Sequence, residues 1–193
     1  MRRSPAAISI LLFTLVTASC LLDLEAEAKP QTCLPSGKLR GRKPPAKKCN
    51  QIHNSDCCVE GKLYTTYECS PPITEQTKAV LTLNSFEKGQ DGGGASECDN
   101  KFHGDGERVV ALSSGWFDHR KSCLQRIKIT AGNGRSVVAK VVDECDSTEG
   151  CDEEHDYQPP CPNNVVDASP AVWDALGVPS GEQGDLKVTW SFL

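Results

Sequence analysis

Residues 141–161 read VVDECDSTEGCDEEHDYQPPC, and residues 165–177 read VVDASPAVWDALG. Each stretch opens on a β-branched pair followed by an aspartate, Val141-Val142-Asp143 and Val165-Val166-Asp167, as a strand end carrying a carboxylate would. Between Asp143 and Asp156 there are eight carboxylates and no Lys or Arg. Like charges at that density repel and favour an extended, mobile segment. Cys145, Cys151 and Cys161 oppose this by covalent closure. In the chain-entropy model, a bridge closing about 15 residues is worth about 3 kcal/mol. A stapled acidic loop has little freedom left to lose on binding, which lowers the cost of association.

Further strands are predicted on either side of this stretch. Leu63 to Cys69 is β-branched and aromatic, and Ser70-Pro71-Pro72 stops it, because proline cannot donate to a ladder. Residues 78–84, 107–113, 124–130 and 135–143 have the same character. The last two flank Ala131-Gly132-Asn133-Gly134, where Asn-Gly predicts the positive φ angles of a tight hairpin. Leu186, Val188, Trp190 and Phe192 alternate with Lys187, Thr189 and Ser191, so one face should point inward. Ser169 as N-cap, Pro170 at the first helical position and Gly177 at the end predict one short helix. Six or seven strands around one or two short helices imply an all-β fold, a compact barrel.

The N-terminus has the marks of export. Arg2 and Arg3 precede an apolar run, and Ala26-Glu27-Ala28 fits a cleavage site, so residues 1–28 read as a signal peptide. That run is too short to span a bilayer. Eleven cysteines are present, and Cys20 would leave with the signal. The remaining ten (Cys33, Cys49, Cys57, Cys58, Cys69, Cys98, Cys123, Cys145, Cys151 and Cys161) are all expected in disulfides. Five lie before residue 70, so at least one bridge must leave that segment. Residues 29–70 read as a cysteine-rich segment stapled to a barrel over 71–193. The mature chain would carry 19 basic and 23 acidic residues, a net −4, which does not suit a general nucleic-acid binder. Residues 29–48 hold seven basic residues and no acid, and read as a loop held by cysteines that could touch polyanions such as cell-wall polymers.

Several runs occur in an order that resembles one known family. They are CLPSG at Cys33, SPPIT at Ser70, GQDGGGASECD at Gly89, VVALSSGWF at Val109, VVDECDSTEGCDEEH at Val141, PPCPNNVVDASPAVWDALG at Pro159 and the terminal VTWS. Together they resemble the kiwellins, or ripening-related proteins, secreted plant proteins related to barwin and to the first domain of expansins. The resemblance implies a six-stranded double-psi β-barrel, disulfide-rich, and a Cys98–Cys123 bridge. It also implies a role in plant defence, because some kiwellins bind and inhibit chorismate mutases that fungal pathogens secrete.

Three chemistries compete for the site. Polysaccharide cleavage needs two carboxyls about 5–9.5 Å apart, and Asp143 and Asp167 are the candidates if the protein is a wall-modifying enzyme of expansin or barwin type. Expansins place the second aspartate after His-Phe; here Val165-Val166 precede it, so no enzyme activity is expected. The four histidines, His53, His103, His119 and His155, lack metal-ligand spacing, and the acidic stretch lacks a calcium register, so neither metal nor cofactor is expected. The third reading is a binding protein, monomeric when free, acting in the apoplast with no membrane or nucleic-acid partner. Its predicted contacts are Trp116, Phe117, His119 and Arg120 in one loop, and Asp146, Glu149, Asp152, Glu153 and Glu154 in the acidic loop. The expected partner is a secreted fungal chorismate mutase, with cell-wall polysaccharide as the alternative.

Overall fold

A computed structural model describes residues 32–193. The expected signal peptide and its cleavage point lie outside the described residues. Two strands, β1 (Gly37–Arg40) and β2 (Leu63–Thr66), form a separate antiparallel ribbon. Six more close a barrel: β3 (Thr77–Leu83), β4 (Val109–Ser113), β5 (Arg126–Ala131), β6 (Ser136–Cys145), β7 (Val165–Ala168) and β8 (Leu186–Phe192). Their order around the barrel is β3-β7-β4-β6-β5-β8. Two neighbouring pairs, β3 with β7 and β4 with β6, run parallel, while the other four contacts are antiparallel. This is the all-β, disulfide-rich double-psi barrel that the motifs imply. Closure leaves no free barrel edge.

The strand patterns follow from which face meets the interior. In β5, Ile127 and Ile129 are buried while Arg126 and Lys128 are exposed, a period of two. In β8, Val188 and Trp190 are buried, Leu186 and Phe192 are half-buried at the barrel ends, and Lys187 is exposed. β4 breaks the alternation, since all five residues are buried. Val110 and Leu112 fill the barrel, whereas Val109 and Ala111 join Phe86 and Val142 in a second apolar cluster on the outside. A loop containing Phe86 thus covers the outer face of this strand.

The register of β4 with β6 shifts between Val110 and Ala111. Val110 pairs with Val141, and Ala111 pairs with Asp143, so Val142 is the extra residue of a β-bulge. Bulges re-aim side chains. Ala111 also pairs with Asp167 on its other side. Asp143 and Asp167 therefore flank the same alanine from two strands apart, with their Cα atoms about 10 Å from each other at ordinary strand spacing.

Local expectations fare unevenly. Helix α2 (Pro170–Leu176) starts and stops at the predicted residues and buries Val172, Trp173 and Leu176. Its Ser169 makes no side-chain capping bond. Instead the hydroxyl donates to the Glu107 carbonyl at 2.6 Å and accepts from the Val109 N–H at 3.3 Å, tying the helix start to β4. The β5–β6 connection is a three-residue loop in which Gly134 alone has positive φ, 82°. It is a turn followed by a bulge rather than a two-residue turn, so Asn133 needs no left-handed backbone. The predicted loop over 29–48 contains β1, which pairs through Leu39 with Tyr64 and through Arg40 with Leu63.

All ten cysteines of the described residues are bridged: Cys33–Cys69, Cys49–Cys57, Cys58–Cys151, Cys98–Cys123 and Cys145–Cys161. The implied Cys98–Cys123 pair is present. Parity demanded at least one bridge out of the N-terminal segment, and there is one, Cys58–Cys151. Five disulfides are characteristic of a protein that folds in an oxidising compartment.

Candidate functional site

A groove of about 1030 Å³ crosses one side of the barrel. β3, the end of β6 and β7 supply its floor; loops around residues 53–56, 91–97 and 154–164 supply its walls. Ten carboxylates line it, against His53 and His155 and no Lys or Arg. None of the described lining residues is Phe, Tyr or Trp.

Asp167 lies on the floor. It points away from the barrel interior, because its neighbours Val166 and Ala168 belong to the core. Thr82 is its register partner on β3, and the threonine hydroxyl donates to its carboxylate. Protein surrounds this carboxyl on most sides, and that burial pushes its pKa up to about 7. Thr82 pulls the other way, and Asp91 and Asp143 add repulsion. Asp143 is half-buried and accepts N–H bonds from Glu97 and Glu144, each at 2.9 Å. Burial outweighs them, so its pKa is also raised. Glu144 is raised by burial as well, although the Ser114 hydroxyl donates to it. The groove floor thus holds several carboxyls that retain protons longer than free ones.

The rim is different. The acidic loop is closed at its base by Cys145–Cys161 and tied at its middle by Cys58–Cys151. Asp146 accepts from the backbone N–H groups of Thr148 (2.6 Å) and Glu149 (3.0 Å) and from the Thr148 hydroxyl (2.7 Å). His155 sits between Asp146 (3.5 Å) and Asp152 (2.7 Å). Those two carboxylates raise its pKa to about 9, Asp146 contributing most. In return Asp146 and Asp152 are both lowered, their bonds with His155 overcoming the opposing effect of burial. Asp146, Glu149 and His155 bring donor atoms within 4.8 Å of one another. His155 is hydrogen-bonded between Asp146 and Asp152, so within the described structure the cluster reads as an internal clamp on the loop. The like charges that should loosen this loop are offset by the bonds to His155, two disulfides and backbone donors.

The predicted contact residues separate into two sets. In the acidic loop Glu149, Glu153 and Glu154 are exposed, and Asp146 and Asp152 are half-buried. His119 and Arg120 are also exposed, with Arg120 donating to Glu97 at 2.7 Å. Trp116 and Phe117 correct the prediction: each is 1% exposed. β4 runs straight into a four-residue helix, α1 (Ser114–Phe117), which folds both rings back into the core. Trp116 meets Trp190 edge-on with ring centres 5.1 Å apart and donates its indole N–H to the Pro71 carbonyl at 2.7 Å. A large aromatic directly after a buried strand gains more from the interior than from the surface. Sequence reasoning missed the groove wall formed by His53 and Asp91. His53 Nδ1 is 2.9 Å from the buried Asp91 carboxylate, which also accepts the Ser85 N–H. Asp91 in the Gly-rich run was the available signal.

The comparisons agree with the motif reading. The family profile described as Kiwellin-1 matches residues 8–192. The ripening-related protein grip22 of Vitis vinifera is 56% identical over 162 residues, covering 84% of this chain and 66% of the relative. The protein named kiwellin from Actinidia chinensis var. chinensis is 50% identical over 163 residues, covering 84% of this chain and 68% of its own. Among solved structures, the apo expansin of Clavibacter michiganensis aligns with a TM-score of 0.45 at 19% identity, over 61% of this chain and 50% of that one. With the match running through both aspartate-bearing strands and the stapled loop between them, the chain belongs to the kiwellin family.

Proposed function

We propose that this protein is a secreted, apoplastic plant defence protein that binds a pathogen-secreted effector enzyme, a fungal chorismate mutase, and inhibits it by surface contact. The observation that carries the reading is the acidic loop, held at its base and its middle by two disulfides and displaying Glu149, Glu153 and Glu154. A surface fixed before encounter loses little entropy on association. Its uniform sign steers a basic partner and raises the on-rate. Family membership supports the partner class. His119 and Arg120, standing clear of the core beside Glu97, complete the proposed contact set, with Asp146 and Asp152 holding the loop in shape. The protein acts as a binder and not as a catalyst in this reading. The test is titration calorimetry with a recombinant fungal chorismate mutase, paired with its activity assay. Saturable binding with loss of activity is expected, and Glu149→Gln/Glu153→Gln/Glu154→Gln should weaken it about tenfold, mainly through the on-rate, as loss of steering charges does. Full mutase activity at saturating protein sinks the reading.

One observation favours a second reading. Asp143 and Asp167 flank Ala111 in an open groove, and Asp167 keeps a proton to near neutrality, as a general acid would. Against a wall-modifying role, no Phe, Tyr or Trp stands among the described lining residues for a sugar ring to pack on. Chain cleavage of glucan, chitin or peptidoglycan that vanishes in Asp167→Asn would establish this second reading in place of the first.

A further inference from the structure

We infer that the β1–β2 ribbon is a binding strip for a linear polycarboxylate, the chemistry of an acidic wall polysaccharide such as a de-esterified polyuronate. Lys38 and Arg40 are exposed and alternate along β1, so their side chains leave the same face about 6.6 Å apart. Arg42 and Lys43, also exposed, come after Gly41 just beyond the end of the strand and add two cations there. Among the described residues none of these four forms a salt bridge; the lysine and arginine pairs are Lys48–Glu153, Arg120–Glu97 and Lys121–Asp118. The acids of the described N-terminal segment are Asp56, Glu60 and Glu68, and Glu60 is engaged by the Lys43 backbone N–H at 2.8 Å.

The strip is rigid. Four residue pairs join β1 to β2, Cys33–Cys69 closes one end, and the Gly41 N–H to Lys62 carbonyl bond (2.7 Å) closes the other. Two cations ordered on one face of a strand, with two more just past its end, suit one extended polyanion, whose charges are met without collapsing a mobile tail. A broad anionic surface, a bilayer or a duplex, suits it less: the whole chain carries −5, and the acidic groove belongs to the same small molecule. Lys48 bonded to Glu153 marks where the basic and acidic regions meet. This inference stands apart from the effector reading, since it uses none of the acidic-loop residues.

The experiment is affinity electrophoresis and calorimetry of the oxidised mature protein with polygalacturonate, fully methyl-esterified pectin, phosphatidylserine vesicles and RNA. Binding to polygalacturonate is expected at low salt, weakening steeply as salt rises, with none to the esterified polymer. Lys38→Gln/Arg40→Gln/Arg42→Gln/Lys43→Gln should reduce it at least tenfold. Lys128→Gln/Lys187→Gln, two exposed barrel lysines, should leave it unchanged. Near-ultraviolet circular dichroism and a free-thiol count verify that both variants fold. The proposal is overturned if the wild type ignores polygalacturonate, if esterification makes no difference, if the barrel pair matters as much as the ribbon set, or if vesicles or RNA bind more tightly.

Discussion

At the scale of single residues, Asp167 is the most informative. Its pKa is about 7 in the folded protein and near 4 in an unfolded chain. Between those values the folded state holds a proton that the unfolded state has released, so stability falls as pH rises through this window. Below it the burial costs nothing electrostatically; above it the full cost is present. Asp167→Asn removes the slope. Wild-type stability relative to the variant should therefore drop by up to about 4 kcal/mol between pH 4 and pH 8, measured by urea unfolding. Parallel curves across that range would mean that the carboxyl is ionised throughout. The position was legible in sequence, as a carboxylate ending a β-branched run, but its environment was not. Thr82, Asp91 and Asp143 come from three other segments, and only barrel closure brings them near.

At the scale of elements, period-two alternation located β8 to the residue, the cap residues Ser169, Pro170 and Gly177 located α2, and β-branched composition located β5 within two residues. Alternation could not explain β4, buried on both faces, since the Phe86 loop covering its outside is remote in sequence. The same ambiguity misplaced Trp116 and Phe117, because a residue that follows a strand gives no sign of whether the chain turns inward or out. α1 turns inward at Gly115, where the backbone lies against Cys69 and Ser70. A Cβ at Gly115 would fall 2.1 Å from the Ser70 nitrogen and 2.4 Å from the Cys69 carbonyl carbon. Neither neighbour is a side chain that can swing aside. Gly115→Ala should therefore push α1 off the Cys69–Ser70 segment and destabilise the protein by about 1–3 kcal/mol, as overpacking does. Trp116 fluorescence should shift to the red as its ring loses cover; an unchanged spectrum and melting temperature would refute the close approach.

At the scale of the whole molecule, one disulfide among the described residues, Cys58–Cys151, joins the N-terminal segment to the barrel in addition to the peptide chain itself, with Cys58 N–H to Tyr157 carbonyl (2.8 Å) and Tyr67 N–H to Ser147 carbonyl (2.8 Å) beside it. This bridge closes a 93-residue separation, worth about 4–5 kcal/mol in the chain-entropy model. Cys58→Ser/Cys151→Ser should leave the barrel strands protected from hydrogen exchange while amides of residues 49–66 exchange faster. Under the proposed function, capture of a mutase should weaken with it, because the middle of the acidic loop is released. Uniform loss of protection would show instead that the ribbon and the barrel unfold as one. Cysteine parity foretold that such a bridge exists, but which cysteines form it depends on distances that no spacing rule contains.

The Cys145–Cys161 bridge has a consequence for survival outside the cell. A single cut by a hostile peptidase anywhere between residues 146 and 160 yields two chains that stay attached through that sulfur pair. β7 and β8, on the C-terminal fragment with α2, remain laddered to β3, β4 and β5. A nicked molecule should migrate intact on a non-reducing gel and fall into two fragments only after thiol treatment, so that digestion of the most exposed acidic stretch scars the protein without dismantling it.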